Sequence, residues 1–168
     1  MKYDSVDLVC KEIDCFRKNK QYCKIIDICT TALSSYPDDV MILSELSHAY
    51  ISVRNYHSAV DVSTKEIEIT KNDSYLYFKR GRCFLYLSEY LLADSDFDMI
   101  IALKDSHPRN DAYVETGYFF KAYASIKLGA YSVAAMCLQQ VREDFTGHLG
   151  DGGVQTKISL LKIIERSV

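Results

Sequence analysis

Six cysteines, four histidines and a glycine cluster are the residues of this chain that could do chemistry. The cysteines are Cys10, Cys15, Cys23, Cys29, Cys83 and Cys137. No two stand as Cys-x-x-Cys, the spacing that a zinc ribbon or a thioredoxin-type redox centre needs. They read as small, buried, reduced core residues, which fits a reducing compartment. His48, His57 and His107 are scattered, and no His-Glu-x-x-His, catalytic serine context or cysteine–histidine signature accompanies them. His148 and Asp151 could touch a metal, but two candidates on a glycine loop make a weak signal. Gly147, Gly150, Gly152 and Gly153 lack the Gly-Lys-Ser/Thr of a phosphate loop, and no strand is expected before them. The chemistry-bearing residues therefore point away from an enzyme, and no catalytic residue, cofactor or metal is expected.

The chain has 168 residues, 48% of them hydrophobic, with two prolines and seven glycines. That composition favours a helical fold over a loop-rich β fold or disorder. A net charge of −3 and a pI near 5.8 argue against a general nucleic-acid binder, which needs a basic face to displace phosphate counterions. No run approaches the roughly 18 apolar residues that span a membrane, and the charged N-terminus does not read as a secretory signal. A cytoplasmic protein with no membrane partner is expected. The abundance of Lys, Ile, Tyr and Asn hints at a bacterial, AT-rich coding sequence.

An internal period sets the architecture. Tyr22, Tyr56 and Tyr90 are spaced by 34 residues, and Ala59 and Ala93 follow their tyrosines by three. Tyr131 and Ala134 repeat the pair after a step of 41, an insertion of seven. Within each block a large residue is followed by a small one four later and an aromatic three after that, as in Leu43-Ser47-Tyr50 and Tyr77-Gly81-Phe84. This spacing lies on one helix face. The second helix of a block puts a small residue one turn in and a large one four later, as in Ala93-Phe97 and Ala134-Leu138. Small residues let backbones approach, so bulk at Ala93 should cost about 1–3 kcal/mol. Helices are expected near 4–18, 21–35, 39–53, 56–70, 74–87, 90–104, 111–128 and 131–143, with no convincing strand.

These residues resemble the tetratricopeptide repeat family, whose pattern is Trp-x-x-Leu-Gly-x-x-Tyr, Gly-x-Tyr-x-x-Ala, Phe-x-x-Ala and Pro. The block from Tyr77 to Ile101 matches best. The first block keeps Tyr22, Ala32, Leu33 and Pro37 but has Ile25 where a small residue belongs, and the chain has no tryptophan. The resemblance implies an all-α, right-handed superhelix of about four hairpins with a concave inner face. The repeats would occupy about 6–39, 40–73, 74–107 and 111–143. A Gly-rich loop or small hairpin would follow over 144–154, then a capping helix over 155–168. Thr156 would cap that helix, with Ile158, Leu160, Leu161, Ile163 and Ile164 on its apolar face.

Projected onto this family, the first helix of each pair faces inward. The groove would receive Cys10, Asp14 and Arg17 from the first block, and Met41, Ser44, Glu45, His48 and Ile51 from the second. The third would supply Tyr75, Phe78, Lys79, Arg82 and Tyr86, and the fourth Phe119, Tyr123 and Lys127. The partner-binding residues expected from it are Met41, Glu45, His48, Tyr75, Phe78, Lys79, Arg82, Tyr86, Phe119, Tyr123 and Lys127. Aromatics with arginine are the usual composition of interface hot spots. Family members that clamp the acidic tails of heat-shock chaperones use basic groove residues; here Asp14 and Glu45 oppose such a ligand and Lys79 alone fits. The implied function is a non-catalytic protein-binding module. The first choice of partner is a bacterial toxin domain that the chain neutralises as an immunity protein. The alternatives are a secreted client of a chaperone of the type III secretion kind, or a larger complex served as adaptor. A monomer or weak homodimer is expected.

Overall fold

The computed structural model describes residues 5–149 and 153–167. Its backbone divides into two compact units, Met1–Lys71 and Asn72–Val168. Each is built from antiparallel helices joined in chain order.

The first unit holds α1 (Val6–Lys18), α2 (Tyr22–Leu33), α3 (Val40–Ser52) and α4 (Tyr56–Thr70). Ser5 and Asp39 cap α1 and α3, each accepting from the backbone N–H three residues on (Leu8 and Ile42). Val9, Ile13, Ile25, Ile28, Cys29, Ala32, Ile42, Leu46 and Ala49 form an aliphatic core. Ser47 and Ala59, the small residues of the repeat pattern, are fully buried.

The second unit holds α5 (Ser74–Tyr86), α6 (Tyr90–Ala102), α7 (Pro108–Lys127) and α8 (Tyr131–Gln139), then β1 (Thr146–His148), β2 (Val154–Thr156) and α9 (Lys157–Glu165). Its core is aromatic. Phe97 and Phe119 are fully buried, and Phe120 packs between them, with ring centroids 5.7 Å and 5.8 Å away. Glycine makes the room. A Cβ on Gly81 would stand 2.8 Å from Phe97 Cε1, and one on Gly117 would stand 3.0 Å from Ile100 Cγ2.

The 34-residue beat continues in the backbone of the turns. Lys20, Arg54, Ser88 and Gly129, each two residues before a ladder tyrosine, have φ of 55°, 60°, 61° and 75°. One residue on, the amides of Gln21, Asn55, Glu89 and Ala130 donate to the carbonyls of Phe16, Tyr50, Phe84 and Ser125 at 2.8–3.0 Å. This is the Schellman closure of a helix C-terminus, made four times. Three of the four left-handed positions carry a side chain, whereas the sequence pattern marks only Gly129 as a stop.

Helix α7 begins three residues earlier than expected. Pro108 is tolerated because the first turn has no N–H partner to lose. His107 caps it, its Nδ1 accepting from Arg109 N at 3.1 Å. The inserted residues also anchor the helix. Buried Asn110 accepts from Ser74 N at 2.9 Å and donates to Asn72 O at 2.9 Å and Ser106 Oγ at 2.8 Å. The added length is real, with 20 residues in α7 against 13 in α5.

The C-terminal part corrects the expectation of no strand. Thr146, Gly147 and His148 pair antiparallel with Thr156, Gln155 and Val154. Gly147 lies against Phe119, where an added Cβ would come within 2.5 Å of the ring. Thr156 ends the hairpin and caps α9, sharing a reciprocal capping box with Ser159. Leu160 is fully buried, while Ile158 and Ile163 are 51% and 39% exposed, so the apolar face of α9 is narrower than expected. Lys157 ties the helix to the end of α8, donating to Val141 O at 2.8 Å and Glu143 Oε1 at 2.6 Å.

Candidate functional site

The thiols are the strongest chemical candidates, and all six are free. Burial pushes Cys29 up to about 12 and Cys83 to about 11, so neither supplies a thiolate near neutral pH. Cys15 and Cys23 are exposed, which corrects the expectation that the cysteines are core residues. Among the described residues no group of three His, Cys, Asp or Glu side chains could hold a metal. Asp151, Gly150 and Gly152 lie outside the described residues, so the His148–Asp151 pairing acquires no geometry.

The other candidates lie on the surface. In the first unit, α1 sets Asp7, Cys10, Asp14 and Arg17 at helical spacing on one stripe, and α3 does the same with Met41, Glu45, His48 and Ser52. The stripes meet where Arg17 Nη2 pairs with Glu45 Oε2, while Arg17 Nη1 reaches Asp14 at 2.8 Å. The Glu45 hydrogen bond, against the opposing effect of burial, raises the pKa of the Arg17 guanidinium above its ordinary value. Beside this pair opens a pocket of about 200 Å³, lined by Arg17, Tyr22, Ile25, Glu45, His48, Ala49 and Ser52. Ile25 and Ala49 are buried apolar surface, and Ser52 Oγ is turned back onto His48 O at 2.9 Å. The Cys10 thiol nearby is raised by burial and then by the charges of Asp39, Glu45, Asp7 and Asp14. Glu45 and His48 thus lie in the pocket, and Met41 is 62% exposed on the same helix.

In the second unit, α5 and α7 carry the aromatic residues. Tyr113, which sequence reasoning missed, joins them, its ring 5.8 Å from both Tyr75 and Phe78. Burial, then the charge of Asp73, raises its phenol. Phe78 stands edge-on to Phe120 at 5.2 Å, so half of it belongs to the core. Arg82 lies 5.5 Å over Phe78, Lys79 lies 5.8 Å over Tyr75 and Lys127 lies 5.3 Å over Tyr123. These are cation–π geometries within the chain. Tyr75, Phe78, Arg82, Tyr86 and Tyr123 are half-buried and Lys127 is exposed.

Two expected residues are not presented. Lys79 is 4% exposed, its stem packed down with its charge near Tyr75. Phe119 is fully buried, facing Phe145 at 4.9 Å and covered by Gly147. Behind this wall lie ion pairs. Arg80 holds Asp96 through two bonds of 2.9 and 2.6 Å, and burial nonetheless raises the Asp96 carboxyl. Lys121 bridges Asp94 at 2.8 Å and Asp98 at 2.7 Å. Burial alone would lower the Lys121 ammonium, but the bonds and charges of Asp94 and Asp98 outweigh it and the net shift is upward.

Comparison with known proteins reports on the fold. No protein-family model matches the chain, and no curated protein matches it by sequence. Solved structures of MamA, a tetratricopeptide-repeat protein, are similar to it. A crystal structure of MamA superposes with a TM-score of 0.71 at 16% identity, covering 80% of this chain and 69% of that one. MamA from Desulfovibrio magneticus RS-1, residues 41 to the end, gives 0.70 at 14%, covering 82% and 74%. MamA of strain AMB-1 gives 0.68 at 18%, covering 82% and 79%. At such identities the likeness shows the fold: helices packed sequentially in antiparallel pairs, as in tetratricopeptide repeats. No helix among the described residues is long and apolar enough to cross a membrane.

Proposed function

We propose that the chain is a non-catalytic protein-binding module that uses the open faces of its first-in-pair helices. The observation that carries this is the pocket of the first unit, where Arg17, Glu45, His48 and Ser52 surround an apolar floor. A concave feature with few polar groups over buried apolar surface is what a partner's side chain needs. The half-buried Tyr75, Phe78, Arg82 and Tyr86 of the second unit support the same reading, since aromatic residues and arginine dominate interface energetics.

Within this reading the partner is a bacterial toxin domain, neutralised by occlusion. It is favoured by surface chemistry that suits a folded protein, an apolar-floored pocket and half-buried aromatics with arginine. The chaperone and adaptor readings share the scaffold and differ in the consequence of binding. The experiment is to capture partners from the native host, identify them by mass spectrometry, and express each alone and with the chain. Growth arrest by the partner, relieved by co-expression, supports neutralisation. A partner that is harmless but fails to be secreted when the chain is deleted moves the assignment to a chaperone. A stable assembly with neither phenotype moves it to an adaptor.

A further inference from the structure

The pocket between α1, α2 and α3 has chemistry specific enough to name what enters it. Its volume of about 200 Å³ is below the roughly 300–1,000 Å³ of sites for small-molecule ligands. It fits one side chain. The floor of Ile25 and Ala49 and the ring of Tyr22 offer apolar and aromatic surface for a stem. At the rim stand Arg17, Glu45 and His48.

The charges decide between an acidic and a basic visitor. Arg17 is committed to Asp14 and to Oε2 of Glu45, so its guanidinium is already matched by two carboxylates. An entering carboxylate would meet the charges of Asp14 and Glu45 already held on that guanidinium and be repelled by them. Glu45 spends only Oε2 on that pair and keeps Oε1 as an acceptor. Asp7, Asp14, Asp39 and Glu45 all act on Cys10 in the same region. Two carboxylates, Asp14 and Glu45, pair with the one guanidinium at the rim, so this pair of stripes carries a net negative charge.

We infer that this pocket is a subsite for a single basic side chain, lysine or arginine, of a protein partner. The stem lies along Ile25, Ala49 and Tyr22, and the charged head bonds to Oε1 of Glu45 at the rim. This rests on the protein-binding reading and adds to it the chemistry of one anchor.

The test uses the full chain, labelled with ¹⁵N, and short host peptides, acetyl-Gly-Ala-X-Ala-Gly-amide, with X as arginine, lysine, norleucine or glutamate. The arginine or lysine peptide should shift the amides of Tyr22, Glu45, Ala49 and Ser52 saturably. Its affinity should exceed that of the norleucine peptide by about ten-fold, the effect of one well-placed charged bond. Added salt should weaken it. Glu45→Gln should remove most of that advantage. Ser52→Tyr, which fills the pocket without altering charge, should abolish the shifts, with circular dichroism confirming that both variants fold. The inference is overturned if the glutamate peptide binds these residues as well as the arginine peptide does, if no peptide binds saturably, or if Glu45→Gln leaves the preference intact. Its failure is separable from that of the parent reading. Partner capture that persists in Ser52→Tyr removes the subsite alone, whereas a wild-type chain that captures no partner removes the module.

Discussion

The two units solve the same packing problem with different materials. The first fills its hairpins with isoleucine, leucine, valine and alanine, sets Arg17 and Glu45 beside a pocket, and buries Glu66 in α4. The second fills its core with phenylalanine, opens space with glycine, and draws ion pairs inward. Its surface aromatics are continuous with its core through Phe78 and Phe120. The difference teaches that a repeat pattern constrains where large and small residues go, not which ones. A pocket lies beside the aliphatic core of the first unit, and half-buried aromatics flank the core of the second.

The contrast is broken most severely by removing an aromatic from the second core. Phe119→Ala should cost about 3–5 kcal/mol in urea unfolding, whereas Ile25→Val in the first core should cost about 1 kcal/mol. Separating the inward ion pair comes next. Asp96→Asn leaves Arg80, largely buried, without the Asp96 carboxylate and should cost about 3 kcal/mol. Restoring bulk where glycine was required should follow, with Gly147→Ala losing about 1–3 kcal/mol as Phe119 is pushed aside. By contrast, Cys15→Ala at an exposed site of the first unit should leave stability unchanged within error.

Two smaller effects sharpen the comparison. The pKa of Lys121 is raised in the folded state from an ordinary value of 10.5. Its contribution is therefore complete below pH 10.5 and is lost as pH rises through the higher folded value. Thermal unfolding followed upward from pH 9 should show this alkaline loss in the wild type and a smaller one in Lys121→Met. The left-handed turns give the smallest effect. Arg54→Gly or Ser88→Gly should change stability by no more than about 1 kcal/mol, stabilising where relief at positive φ exceeds the added freedom of the unfolded chain. Gly129→Ala should destabilise by about 1 kcal/mol.

Much of this fold was legible because packing repeats. Tyr22, Tyr56, Tyr90 and Tyr131 marked the hairpins, and Ala59, Ala93 and Ala134 proved fully buried beside them. The turn conformation was on the same beat but was hidden, because Lys20, Arg54 and Ser88 hold positive φ without being glycine. The glycines left a loop or a small hairpin open, and the strands of β1 and β2 were not read because three residues are too few to show alternation. Phe119 was misplaced for a related reason. Its burial depends on Gly147, which stands outside the repeat and beyond any periodic signal. Lys79 sits at an inward position by the family projection, yet it is buried with its Nζ over the Tyr75 ring. Of the candidate site, Glu45 and His48, now lining the pocket, were reached by projecting the register onto the family's inward helix. Tyr113 was not, because the seven-residue insertion moved it into the aromatic wall.

The central claim is that partners bind the faces of the first-in-pair helices. The rival surface is on the second-in-pair helices, where Leu91, Leu92 and Met136 are 73%, 48% and 67% exposed. The direct measurement is photo-crosslinking in the native host with p-benzoylphenylalanine placed singly at His48, Tyr86, Leu92 and Met136. The same partner adduct from His48 and Tyr86, and none from Leu92 or Met136, is the expected result. Adducts confined to Leu92 and Met136 would contradict the account.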